Sequence, residues 1–164
     1  MPSPLAAAYR QYFPLLVQKC TRILGDGHEA QDVAQESFIR LHHAGLCEGD
    51  ARLVTAWLYR TSTRLAIDRL RTRRRHAGDA AAVDGLSSDG SIEAHVGARQ
   101  LWSELAQHVP MLELEVALLS RVDGLTQAEV AEVTGINPRR IRRLLVRFEA
   151  HAQGLREKDE RCSQ

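Results

Sequence analysis

Residues 126–148, TQAEVAEVTGINPRRIRRLLVRF, constrain this chain more than any other stretch. Apolar or small residues fall where two crossed helices must meet: Val130, Ala131, Gly135, Ile136, Ile141 and Leu144. Thr126 and Glu129 have the spacing of a capping box. Gly135 permits a tight turn that a side chain would obstruct. Asn137 can cap the second helix, and Pro138 can open it. On that helix Ile141, Leu144, Leu145 and Phe148 form an i, i+3, i+4, i+7 stripe, with Arg139, Arg142, Arg143 and Arg147 on the other side. The pattern predicts a helix-turn-helix in which one helix presses the other into a DNA major groove. Arg139, Arg140, Arg142, Arg143 and Arg147 are then the DNA-facing set, for phosphates or the acceptor edge of guanine. Arg139, Arg140 and Arg143 lie nearest the helix start and are the candidates for base contact. An ordinary helical hairpin is the competing reading.

Charge supports a DNA partner only locally, because the 164 residues carry a formal net charge of +1. Residues 64–75 hold six arginines against one aspartate, and residues 139–149 hold five against one glutamate. Such clusters are the electrostatic trace of phosphate contact, although a lone cluster is as readily a solvated helix face.

Helical periodicity dominates the chain and strand-like alternation is scarce. Helices are expected at 5–24, 28–44, 52–75, 91–108, 110–122, 126–133 and 138–153, with Pro110 in the first turn of its helix. Residues 76–90, HAGDAAAVDGLSSDG, are small and polar with no apolar stripe, as in a flexible linker. The expected architecture is all-α: two small helical domains, 1–75 and 91–156, joined by the linker 76–90 and followed by a polar tail, 157–164.

In EAQDVAQESFIRL, residues 29–41, the set Ala30, Val33, Ala34, Ser37 and Leu41 makes a small-to-apolar face. Asp32, Gln35, Glu36 and Ile39 share another. From pattern alone that second set is an exposed helix face; a protein-docking surface is the alternative. In AWLYRTSTRLAIDRLRTRRR, residues 56–75, Trp57, Leu58, Thr61 and Leu65 continue a stripe begun by Val54. Arg60, Arg64, Arg71 and Arg75 line a neighbouring edge, with Asp68 at helical spacing from Arg64 and Arg71. A basic edge beside a tryptophan suits unpaired DNA, where phosphates are tracked and bases stack. Trp57 itself reads better as core than as a stacking platform.

No Walker loop, nucleotide fingerprint, paired catalytic carboxylates or zinc ligand set is present, so neither enzyme chemistry nor a cofactor is expected. Cys20, Cys47 and Cys162 form no CxxC pair, and with His28, His42, His43 and His151 they match no common metal motif. His42-His43 followed by Cys47 comes nearest; exposed histidines and inert thiols are the simpler reading. There is no apolar run of about 18 residues and no leader pattern. A cytoplasmic protein without membrane insertion is expected.

Taken in order, these segments resemble a bacterial RNA polymerase sigma factor of the extracytoplasmic-function group, over roughly residues 9–75 and 100–153. EAQDVAQESFIRL is similar to the region 2 helix that docks on the β′ clamp of core RNA polymerase. The resemblance therefore assigns Asp32, Gln35, Glu36 and Ile39 to polymerase binding. AWLYRTSTRLAIDRLRTRRR resembles the helix that melts and reads the −10 promoter element, which assigns Arg60, Arg64, Arg71 and Arg75 to −10 DNA. VPMLELEVALLSRVDGLTQAEVAEVTGI resembles region 4, whose last helix reads the −35 element through the recognition-helix arginines. The implied partners are core RNA polymerase through the β′ clamp and β flap, promoter DNA and an anti-sigma factor. Arg64 stands where the family often has Asn, Leu114 replaces a common Arg, and NPRRIRRLL departs from the usual recognition helix. These departures bear on the promoter sequence rather than the fold. A stand-alone helix-turn-helix regulator binding duplex DNA is the alternative function.

Overall fold

Helix boundaries in this chain follow local capping chemistry. The computed structural model describes residues 3–77 and 92–162. Seven α-helices form among them: α1 Pro4–Leu24, α2 Gly27–His43, α3 Ala51–Ala77, α4 Ile92–His108, α5 Met111–Arg121, α6 Gln127–Thr134 and α7 Pro138–Cys162. Asp26 caps α2, its carboxylate accepting from the backbone N–H of His28 and Glu29 at 2.8 and 2.9 Å. Those bonds, that of Glu29 foremost, hold its pKa below the usual range. Thr126 and Glu129 complete the capping box of α6. Gly135 ends that helix at φ 70°, a left-handed conformation that a side chain resists. Asn137 Oδ1 accepts from the Arg139 N–H at 2.8 Å as α7 begins at Pro138.

Some elements differ from expectation. Pro110 is the N-cap of α5, with extended ψ of 145°, rather than its first helical residue. Residues 76 and 77 belong to α3, and 78–91, the rest of the expected linker with the first residue of the expected fourth helix, lie outside the described residues. The tail expected from 157 continues α7 to Cys162. There Gln153 bonds Glu157 and Arg161 pairs with it, one turn away on either side. Pairs at this spacing carry an exposed helix past Gly154.

Packing occurs in three apolar clusters. Leu16, Ala34, Phe38, Leu41, Val54 and Leu58 form the core of the α1–α3 unit, with Trp57 against its edge. Val116, Leu119, Val130, Ile141 and Leu144 form that of the helix-turn-helix unit. The third cluster spans both: Ile23, Leu24, Leu65, Ile67 and Leu70 meet Leu105, Val109, Leu114, Leu118 and Phe148. Helix α5 is central, with every residue from Glu113 to Leu119 buried. A helix buried over nearly two turns must be covered on all sides there, and its two carboxylates must find partners. Here α3 and α7 both pack on it.

Candidate nucleic-acid and polymerase interface

Helix α7 has its two faces as the stripe requires. Ile141, Leu144 and Phe148 are buried, and Leu145 packs at the edge of the same core. Arg139, Arg140, Arg142 and Arg143 are exposed and form no ion pair among the described residues. Four guanidiniums on a helix held by its apolar side are a rigid cationic surface for a duplex backbone or a guanine edge. Arg147 differs. Its Nε lies 2.9 Å from Oε1 of Glu113, a carboxylate only 2% exposed, and His151 Nδ1 lies 3.1 Å from the other oxygen. Arg147 thus ties α7 to α5, a role hidden from sequence because its partner sits inside the apolar run of α5.

The basic edge of α3 is divided. Arg75 is exposed. Arg60, Arg64 and Arg71 face the helix-turn-helix unit: Arg60 and Arg64 meet Glu115, and Arg71 donates to the carbonyls of Ala106 and Val109 at 2.8 and 3.0 Å. Asp68, expected to pair along its own helix, is exposed and has no ion pair among the described residues. Its neighbours are drawn across the interface instead. Sequence reasoning missed Glu115 altogether; its one signal was a carboxylate between leucine and valine in a largely apolar run that also holds Glu113.

On α2, Asp32, Gln35 and Ile39 are exposed, and Ile39 is 51% exposed despite being aliphatic. Glu36 pairs with Arg40 one turn on, at 2.8 Å. Gln35 and Ile39 also border an open apolar groove of about 770 Å³ between α1 and α2, floored by Leu5, Tyr9 and Phe38. Tyr9 stacks on Phe13 with centroids 4.5 Å apart. This face is therefore a mixed surface, acidic at one edge and apolar at the other, and the α1 contribution was not visible in the α2 pattern.

The thiols differ in setting. Cys20 is buried, and burial pushes its pKa up to about 12. Cys47 Sγ lies 3.9 Å from His42 Nδ1, but no group of three metal-ligating side chains occurs among the described residues. No helix among the described residues is long and apolar enough to cross a membrane.

Comparison with known proteins places the chain in a family. The Sigma-70 region 2 family model matches residues 8–76, and the Sigma-70, region 4 family model matches residues 101–151. The chain is 32% identical over 139 residues to the ECF RNA polymerase sigma factor SigW of Bacillus subtilis, covering 76% of this chain and 74% of that protein. It is 32% identical over 146 residues to the RNA polymerase sigma-H factor of Pseudomonas aeruginosa, covering 76% and 75%. A probable ECF RNA polymerase sigma factor SigI of Mycobacterium tuberculosis is 36% identical over 94 residues, 55% of this chain and 32% of that protein. With both regions matched in order on the two helical units, the chain belongs to the extracytoplasmic-function group of the sigma-70 family of RNA polymerase sigma factors.

Proposed function

We propose that this chain is a promoter-specificity subunit that binds core RNA polymerase and directs initiation at a dedicated set of promoters. One observation carries the reading: a single chain joins a region 2 unit to a region 4 helix-turn-helix whose outward face holds four exposed arginines. Asp32, Gln35, Glu36 and Ile39 dock on the polymerase β′ clamp, and region 4 lies near the β flap. Arg139, Arg140, Arg142 and Arg143 contact the −35 duplex, with Arg147 positioning their helix. Arg60, Arg64, Arg71 and Arg75 contact the −10 element once strands separate. The protein acts in the cytoplasm, and an anti-sigma protein holds it inactive; family membership supports both.

The physical logic needs no fuel. Each unit alone binds DNA weakly, but two units fixed on one polymerase gain effective concentration. Capturing unpaired bases offsets the cost of unstacking, a few kcal/mol per step. Run-off transcription with core polymerase on a randomised promoter library tests the reading. Transcripts enriched for a shared upstream sequence are expected. Failure to form a complex with core at micromolar concentration overturns it, and tight operator binding without polymerase would favour a stand-alone regulator.

A further inference from the structure

Helix α7 carries an uncharged side chain at the middle of its outward face. Successive helical residues turn by about 100°, so Arg139, Arg143, Val146 and Ala150 fall on one line, with Arg142 beside it. That line lies opposite the buried Ile141 and Phe148, and Val146 is 64% exposed. A single exposed aliphatic needs no account on most surfaces. Here the charges around it leave it bare. Arg147, the next residue, is drawn toward α5, its Nε 2.9 Å from Oε1 of Glu113. Glu149, on the other flank, pairs with Arg121 of α5. Ala150, one turn on, is exposed and too short to cover a neighbour. What remains is a branched apolar surface bordered, toward the helix start, by the exposed Arg142 and Arg143. Its position is fixed from behind, because Leu144 and Phe148 on either side of it are buried and Leu145 packs on the same core.

We infer that Val146 reads the methyl group of a thymine in the duplex that α7 contacts, and so sets specificity at one base pair of the upstream element. The inference rests on the reading of α7 as the −35-contacting helix. The C5-methyl of thymine is the one apolar group among the major-groove signals of the four base pairs. Packing it against valine removes apolar surface from water on both sides. The other bases present donors and acceptors there, from which valine would strip water while returning no hydrogen bond. Val146 thus selects in two ways, for the methyl and against polar edges. A valine in a helix also holds essentially one rotamer, so the contact costs little side-chain freedom. Placement suits it. Val146 lies about 4.5–6 Å along the helix axis beyond Arg142 and Arg143. Bases on a strand are spaced by about 3.4 Å, which puts the thymine one or two steps from the pair that those arginines meet. Guanidiniums can then hold phosphates at the groove edge while the valine touches the base.

Deoxyuridine tests the contact, because it pairs as thymidine does and lacks only the C5-methyl. The probes are duplexes enriched from a randomised promoter library by the full chain with core polymerase. Each thymine of their shared upstream sequence is replaced by deoxyuridine in turn, and affinity is read by competition. One replacement is expected to weaken binding by the parent about fourfold, the worth of one buried methyl group. Val146→Ala is expected to bind thymine and deoxyuridine duplexes alike at that position. Val146→Ile keeps a branched apolar surface and is expected to keep the discrimination, with the melting midpoints of both variants at the parent's. Equal methyl sensitivity in the parent and Val146→Ala at every thymine overturns the inference, as does a parent with no sensitive thymine. If the chain directs no transcription with core, the sigma-factor reading fails, and duplexes enriched by the chain alone take the same replacements and decide the inference by the same comparison. If the chain alone enriches no duplex, the inference falls with the duplex-reading role of α7.

Discussion

Lys19 lies on the buried stripe of α1, among Leu16, Cys20 and Ile23, where a cation has no reason to be unless something holds it. Its ammonium donates to the Tyr59 carbonyl at 2.9 Å, lies 4.6 Å from the Tyr59 ring centroid, and meets Asp123 from the other unit. Burial lowers the Lys19 pKa and raises that of Asp123, each partner drawing the other back toward its charged form. Such a pair costs little to replace as a whole and much to break. Lys19→Met alone strands a buried carboxylate and is expected to destabilise the chain by about 3–5 kcal/mol in urea denaturation. Tyr59 O loses little, since the Ser62 and Thr63 hydroxyls also donate to it. Lys19→Met with Asp123→Leu is expected to return within about 1–2 kcal/mol of the parent. Strictly additive losses would show that the two residues are not coupled. Nothing in the sequence pairs positions 19 and 123, because their partnership exists only after two distant segments pack. Glu113 and Glu115 were illegible for the same reason. The two share one largely apolar run, and their arginine partners, Arg147 for Glu113 and Arg60 and Arg64 for Glu115, lie on other helices.

Whole elements were easier to read than single partnerships. The α6–α7 hairpin was legible almost completely, since its determinants are local: the Thr126–Glu129 box, Gly135, Asn137 and Pro138. The stripe of Ile141, Leu144 and Phe148 needed only helical periodicity. On the outer face, position along the helix singled out Arg139, Arg140 and Arg143, but nothing local set Arg147 apart as the partner of a buried carboxylate. The structure separates Arg147, tied to Glu113, from Arg143, which has no ion pair among the described residues. The two should therefore respond differently to replacement. Arg143→Ala is expected to shift preference at one −35 position by about 1–3 kcal/mol while leaving the melting midpoint unchanged. Arg147→Ala is expected to cost about 1–3 kcal/mol of stability by leaving Glu113 with a weaker partner, and to leave sequence preference in place. Binding selections on randomised duplexes with thermal melts separate the outcomes. A uniform loss of affinity across sequences would move Arg143 from base to phosphate contact.

At the scale of the whole molecule, two helical units were legible but their embrace was not. Of the residues that join them, only Leu65 lay on an expected core stripe; Ile67 and Leu70 on α3, and Leu114 and Leu118 on α5, show as core only once the units pack. A stripe announces that a face is covered without naming what covers it. The depth of that cover leads to a prediction about salt. Exposed ion pairs weaken when the Debye length shrinks, while buried pairs are screened little. Glu115 is fully buried between its two arginines, and an apolar cluster surrounds the same interface. Raising salt from about 0.05 M to about 0.5 M should therefore leave the free chain compact, although contacts of arginines with DNA weaken steeply over that range. Glu115→Gln removes the charge that holds Arg60 and Arg64 and is expected to expand the chain at both salt concentrations. Small-angle scattering reads this directly, with a radius of gyration near about 15 Å for the closed parent. Expansion of the parent on adding salt would mean that surface charge rather than the buried carboxylate holds the units together. An unchanged radius in Glu115→Gln would assign closure to the apolar cluster alone, leaving the carboxylate only to orient Arg60 and Arg64.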